Sequence, residues 1–131
     1  MLHLIEEKKL HENWKIDSAG TAGYHIGEAP DLRTIKNAKK NGVDLTKLRA
    51  RKFSVADFDE FDKIYVMDES NYINVVSMTS NKTYHAKVDY LLNITHPGKN
   101  LPVPDPYYGS EQNFEEVFQL VYAACEKLIN L

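Results

Sequence analysis

The run Ile64-Tyr65-Val66-Met67, closed by Asp68, limits the choice of fold more than any other stretch of the chain. A short continuous apolar segment of this kind reads as a strand buried on both faces, and such strands belong to parallel sheets covered by helices. A parallel neighbour needs a long crossover, so helical segments should flank the run. Glu69-Ser70-Asn71 opens one that bears Ile73, Val75 and Val76, and Val88-Asp89-Tyr90-Leu91-Leu92 follows as a second strand. Upstream, Ser54-Val55-Ala56-Asp57 has capping-box spacing with Asp in place of Glu and begins a short helix carrying Phe58.

Pro30-Asp31 starts an earlier helix with core positions Leu32, Ile35 and Ala38. Asn41-Gly42-Val43 stops it, with Gly42 in the left-handed cap and Val43 packing back. Lys15-Ile16-Asp17-Ser18 reads as a short strand entering the small-residue turn Ala19-Gly20-Thr21-Ala22-Gly23. After Ser110, Phe114, Val117, Phe118, Val121, Cys125 and Leu128 recur at helical spacing and predict a long helix packed on the sheet. This order gives an α/β fold, a doubly wound parallel sheet flanked by helices, in one domain spanning residues 1–131. Ligands of such folds bind beyond the carboxyl ends of the strands, where Asp17-Ser18, Asp68 and the loop holding Asp105 all fall.

Residues 93–110 form a long loop with four of the five prolines, and at its centre stands Pro104-Asp105-Pro106-Tyr107-Tyr108. Each proline fixes its own φ and restricts the residue before it, so Asp105 is held in a narrow range of directions beside two aromatic rings. A positioned carboxylic acid can protonate a departing oxygen. Taken alone, Pro104-Asp105-Pro106 also reads as an ordinary surface turn.

Charge and cysteine usage remove other classes. A net charge of −3 leaves no basic stripe for a nucleic-acid backbone. No apolar run approaches the ~20 residues that span a bilayer, and the N-terminus lacks the pattern of a secretory signal. The lone Cys125 fits a reducing compartment, so the expected location is cytoplasmic. The five histidines, at 3, 11, 25, 85 and 96, have no metal-ligand spacing and read as surface or loop residues.

Five blocks, in order, resemble the low-molecular-weight protein tyrosine phosphatases: Asp17-Ser18-Ala19-Gly20-Thr21, Pro30-Asp31 with Arg33, Arg49-Ala50-Arg51, Met67-Asp68-Glu69-Ser70-Asn71, and Asp105-Pro106-Tyr107-Tyr108-Gly109. The resemblance runs from Trp14 onward. It implies hydrolysis of aryl phosphomonoesters, foremost phosphotyrosine in proteins, through a phosphocysteine intermediate, with no metal and no cofactor. It implies Asp105 as general acid and base, Tyr24, Tyr107 and Tyr108 as walls of the substrate pocket, Ser18 as support for the phosphate loop, and Asp68 as partner of that loop's arginine. A phosphotyrosine protein is the implied substrate, with a tyrosine kinase as a further partner.

The family's nucleophile lies in a Cys-(five residues)-Arg loop between its first strand and first helix, where amides and a helix N-terminus cradle phosphate. Residues 1–131 contain no such loop: the position six beyond Cys125 is Leu131, and Cys125 sits on an apolar helical face as an inert core thiol. Met1–Leu10 already has helical pattern with no capping residue before it, like the second half of a helix. The chain is therefore expected to be N-terminally truncated, to lack the first central strand, and to be inactive and poorly stable by itself. Leu48 stands where many relatives have a histidine of the phosphate-loop network. Rival readings are a non-catalytic phosphatase-like binding protein, an arsenate reductase relative, which would need further cysteines, and a receiver-like domain phosphorylated on Asp68.

Overall fold

The structure is a computed structural model describing residues 1–7, 14–21, 27–105 and 110–130. In chain order its elements are α1 (Leu2–Glu7), α2 (Leu32–Lys40), α3 (Ala56–Glu60), β1 (Ile64–Val66), α4 (Glu69–Val76), α5 (Lys82–His85), β2 (Val88–Tyr90), a 3₁₀ turn over Leu91–Asn93, and α6 (Glu111–Ile129).

Strands β1 and β2 pair in parallel, with Ile64 opposite Val88, Tyr65 opposite Asp89 and Val66 opposite Tyr90. Because successive side chains of a strand point to opposite faces, β1 divides its residues between two cores. Val66 joins Phe53, Phe58, Val75, Val88 and Tyr90 on one face, with Ile64 packed against them. Tyr65 lies on the other, against Leu91, Leu92, Ala124, Leu120 and Val121. Helices thus cover both faces, as the apolar run at 64–67 predicts. Phe58 is fully buried, edge-on to Phe53 at 5.3 Å and stacked on Tyr84 at 5.2 Å. Burying a side chain of this size contributes about 1.5–3 kcal/mol.

Helix boundaries follow local chemistry. Asp31 caps α2 by accepting the Arg33 N–H at 2.8 Å. Its far end is a Schellman motif: Val43 N–H reaches the Ala38 carbonyl at 2.9 Å, Gly42 N–H reaches that of Lys39 at 3.0 Å, and Gly42 has φ +80°. At the start of α6 the Asn113 side chain accepts the Ser110 N–H at 2.9 Å. Cys125 is buried on this helix, as its apolar face predicts.

Several expectations need correction. Lys15–Ser18 is irregular rather than a strand; among the described residues the pairing that follows it is a single parallel bridge, Gly20 to Lys52, too short to make a ladder. β1 ends at Val66 and β2 at Tyr90, since Leu91 and Leu92 are drawn into the second core by the 3₁₀ turn. Leu32 is 81% exposed: it opens the helix, and α2 instead turns Asn37 and Ala38 inward. Asn37 is tolerated there because Glu115 of α6 accepts its amide at 2.8 Å and that of Asn41 at 2.9 Å. His85 is no simple surface residue; it is half-buried, and its Nε2 lies 2.8 Å from the Val76 carbonyl oxygen and 2.7 Å from that of Thr79. His11 and His25 lie outside the described residues.

Candidate functional site

The carboxyl end of β1 is the natural place for chemistry in this fold. The strand stops at Val66, and Asp68 caps α4, its Oδ1 accepting the Asn71 N–H at 2.8 Å. The segment after the 3₁₀ turn returns to the same end: the Val103 N–H donates to the Met67 carbonyl at 2.7 Å. Asp105 lies two residues beyond that bond and is exposed. A second clamp sets the base of this loop. Asn93 accepts the Asn100 N–H at 2.8 Å and donates to the Asp89 carboxylate at 2.6 Å, while Asn100 takes a positive φ of 50°.

Asp68 and Glu69 make this end acidic. Beneath them Tyr90 is buried and stacked on Tyr72 at 5.5 Å; burial first, then the negative charges of Glu69 and Asp68, hold its phenol above the usual range. Carboxylates suit proton transfer and the holding of a cation such as a guanidinium. A phosphate dianion needs N–H donors in addition.

Ser18 sits on a different support. Its N–H donates to Asp17 Oδ1 at 2.8 Å, and Asp17 Oδ2 accepts from Arg51 Nε at 2.8 Å. Arg51 also forks onto Asp57, Nη1 to Oδ2 at 3.0 Å and Nη2 to Oδ1 at 3.1 Å. Asp57 is only 4% exposed. Burial alone would raise its carboxyl; the Arg51 bonds and the Ser54 N–H at 2.9 Å outweigh that and hold it below the ordinary value. Asp57 therefore makes the backbone half of the expected capping box and also serves as an internal counter-ion. Nothing local in the sequence announces this triad, since residues 17 and 51 are 34 apart and pairing across such a distance has no periodicity.

Of the sequence-derived site, Asp68 caps α4 just beyond β1, Asp105 lies two residues after the bond from Val103 to Met67, and Ser18 is tied through Asp17 to Arg51. Tyr24, Tyr107 and Tyr108 lie outside the described residues. Among the described residues no group of three His, Cys, Asp or Glu side chains gathers as a metal site, and no helix is long and apolar enough to cross a membrane.

The family model for low molecular weight phosphotyrosine protein phosphatase matches residues 1–131. A candidate low molecular weight protein-tyrosine-phosphatase of Synechocystis is 42% identical over 125 residues, covering 95% of this chain and 79% of that protein. The human low molecular weight phosphotyrosine protein phosphatase is 39% identical over 128 residues, covering 96% and 79%. The crystal structure of a protein tyrosine phosphatase from Entamoeba histolytica, with Hepes in its active site, superposes with a TM-score of 0.87 at 35% identity, over 97% of this chain and 80% of that one.

Proposed function

The chain belongs to the low molecular weight phosphotyrosine protein phosphatase family, and from this we propose that Asp105 is the general acid of a phosphotyrosine phosphatase reaction whose nucleophile residues 1–131 do not supply. In the first step a cysteine thiolate attacks phosphorus, the P–O bond to the ring breaks, and Asp105 gives its proton to the departing phenolate. In the second, water attacks the phosphocysteine, Asp105 takes its proton, and thiolate and phosphate leave. The observation that supports the reading is the Val103 to Met67 bond at 2.7 Å, which ties the chain two residues before Asp105 to the residue preceding Asp68.

Asp68 then holds the arginine of the phosphate loop, Ser18 supports that loop's backbone, and Tyr24, Tyr107 and Tyr108 wall the ring of the substrate. The substrate is a phosphotyrosine protein, the setting is cytoplasmic, and a tyrosine kinase acts opposite. We read the 131-residue chain as inactive by itself; that residues 1–131 have one cysteine, Cys125, and that it is buried supports this. That leaves a second reading, a phosphatase-like binding protein.

One experiment separates the two. Phenyl phosphate is offered to the 131-residue chain and to an extended protein in which a relative's strand, Cys-(five residues)-Arg loop and helix start, roughly twenty residues by ordinary element lengths, precede Met1. Turnover by the extended protein alone supports the phosphatase reading. An extended protein that folds and binds phosphate without hydrolysing the ester would leave the binding-protein reading in its place.

A further inference from the structure

We propose that Arg51 is a positioning residue: through Asp17 it fixes the backbone of Ser18, and with its neighbours it holds the chain at Gly20 and at Gly27, the described residues on either side of Tyr24. The inference rests on the phosphatase reading above. Its geometry stands on three carboxylate contacts and four backbone bonds.

The guanidinium is anchored from beneath by Asp57, a buried carboxylate gripped by two parallel N–H···O bonds of 3.0 and 3.1 Å. Exposed ion pairs order little, but a bidentate pair with one buried member has defined direction as well as attraction. The third nitrogen, Nε, donates to Asp17 Oδ2 at 2.8 Å, and the other oxygen of Asp17 takes the Ser18 N–H at 2.8 Å. Ser18 is thus one carboxylate away from a fixed cation.

The backbone of the same strip holds the chain on either side of residues 22–26. Gly20 N–H donates to the Arg51 carbonyl at 2.8 Å and Gly20 O accepts from Phe53 N–H at 2.8 Å; Gly27 N–H donates to the Ala50 carbonyl at 2.7 Å and Ala50 N–H to the Glu28 carbonyl at 2.8 Å. Phe53 is buried in the first core, so the strip is itself fixed. Arginine is required in this place because a lysine ammonium is a point charge that cannot fork onto Asp57 while addressing Asp17.

The test uses Arg51→Lys and Asp17→Asn in the extended protein, with phenyl phosphate and an alkyl phosphate as substrates and amide hydrogen exchange as a second readout. Misplacement of about 1 Å at a distance from the chemistry costs up to ~10²-fold. The expected result for Arg51→Lys is therefore a fall of about 10- to 100-fold in kcat/KM, carried mainly by kcat. The aryl-over-alkyl preference should shrink, and exchange should quicken at Ser18, Gly20 and Gly27 but not at Val66 or Val88. Asp17→Asn, which leaves the Asp57 fork intact, should reproduce the kinetic change with less effect on folding. Unchanged kinetics with an active parent would overturn this inference alone, as would exchange that quickens across the whole core. An inactive parent protein would overturn the phosphatase reading and this inference with it.

Discussion

The Val103 N–H donates to the Met67 carbonyl at 2.7 Å, so residues 67 and 103, 36 positions apart in sequence, are neighbours at the carboxyl end of β1. Through this bond the loop of Asp105 reaches the helix cap made by Asp68. Replacing the donor tests its weight. Val103→Pro removes the N–H and should cost about 0.5–1.5 kcal/mol of stability, the net worth of one hydrogen bond, in urea unfolding. In the extended protein it should also lower turnover of phenyl phosphate by freeing Asp105; an unchanged rate would show that the loop is held elsewhere.

The Arg51 and Asp57 pair makes a stability prediction. Removing one member of a buried pair strands the other; the usual cost is about 3–5 kcal/mol, with the lower end expected here because Arg51 is partly exposed. Arg51→Ala should therefore cost about 3 kcal/mol in urea unfolding. Arg51→Ala combined with Asp57→Asn should recover part of that loss, since no buried charge is then left unpaired. Equal losses for the single and double variants would contradict the account.

The same pair sets part of the acid limb. Asp57 titrates below its ordinary value of 3.8 in the folded chain, burial opposing the shift and the Arg51 and Ser54 bonds prevailing. Above 3.8 the carboxylate is ionised in both states and its contribution is complete. As pH falls below that value the unfolded chain takes up the proton first, so stability declines until the folded carboxyl also titrates. Asp57→Asn should flatten this decline in a pH series of unfolding midpoints while leaving the slope above about pH 5 unchanged.

Much of this was legible in the residues. The apolar run at 64–67 foretold a strand with helices on both faces, and Gly42 foretold the end of α2. Long-range polar pairing was not legible. Asn37 looks like a surface residue until Glu115 is placed against it, and Asp57 looks like a cap until Arg51 arrives. The strand expected at 15–18 shows the converse: its residues suit a strand, but a ladder needs a neighbour over several residues, and Gly20 with Lys52 supplies one bridge. The short α5 has no apolar periodicity to announce it; its local signal is Asn81, which caps it by accepting the Thr83 N–H at 2.9 Å.

Gly42 offers a test free of packing effects. It sits at φ +80°, and a Cβ added there would meet nothing within 4 Å. The cost of Gly42→Val is therefore conformational, about 1–2 kcal/mol; Gly42→Asn, which tolerates the left-handed region, should cost less. Equal effects of the two in thermal unfolding would show that the Schellman turn does not fix this backbone.

The central claim concerns Asp105, and the most direct measurement is the turnover of phenyl phosphate by the extended protein with and without Asp105→Asn. The account predicts that kcat falls by roughly 10²–10⁴, the worth of a positioned general acid, while inhibition by inorganic phosphate is unchanged. An unaltered kcat would contradict it.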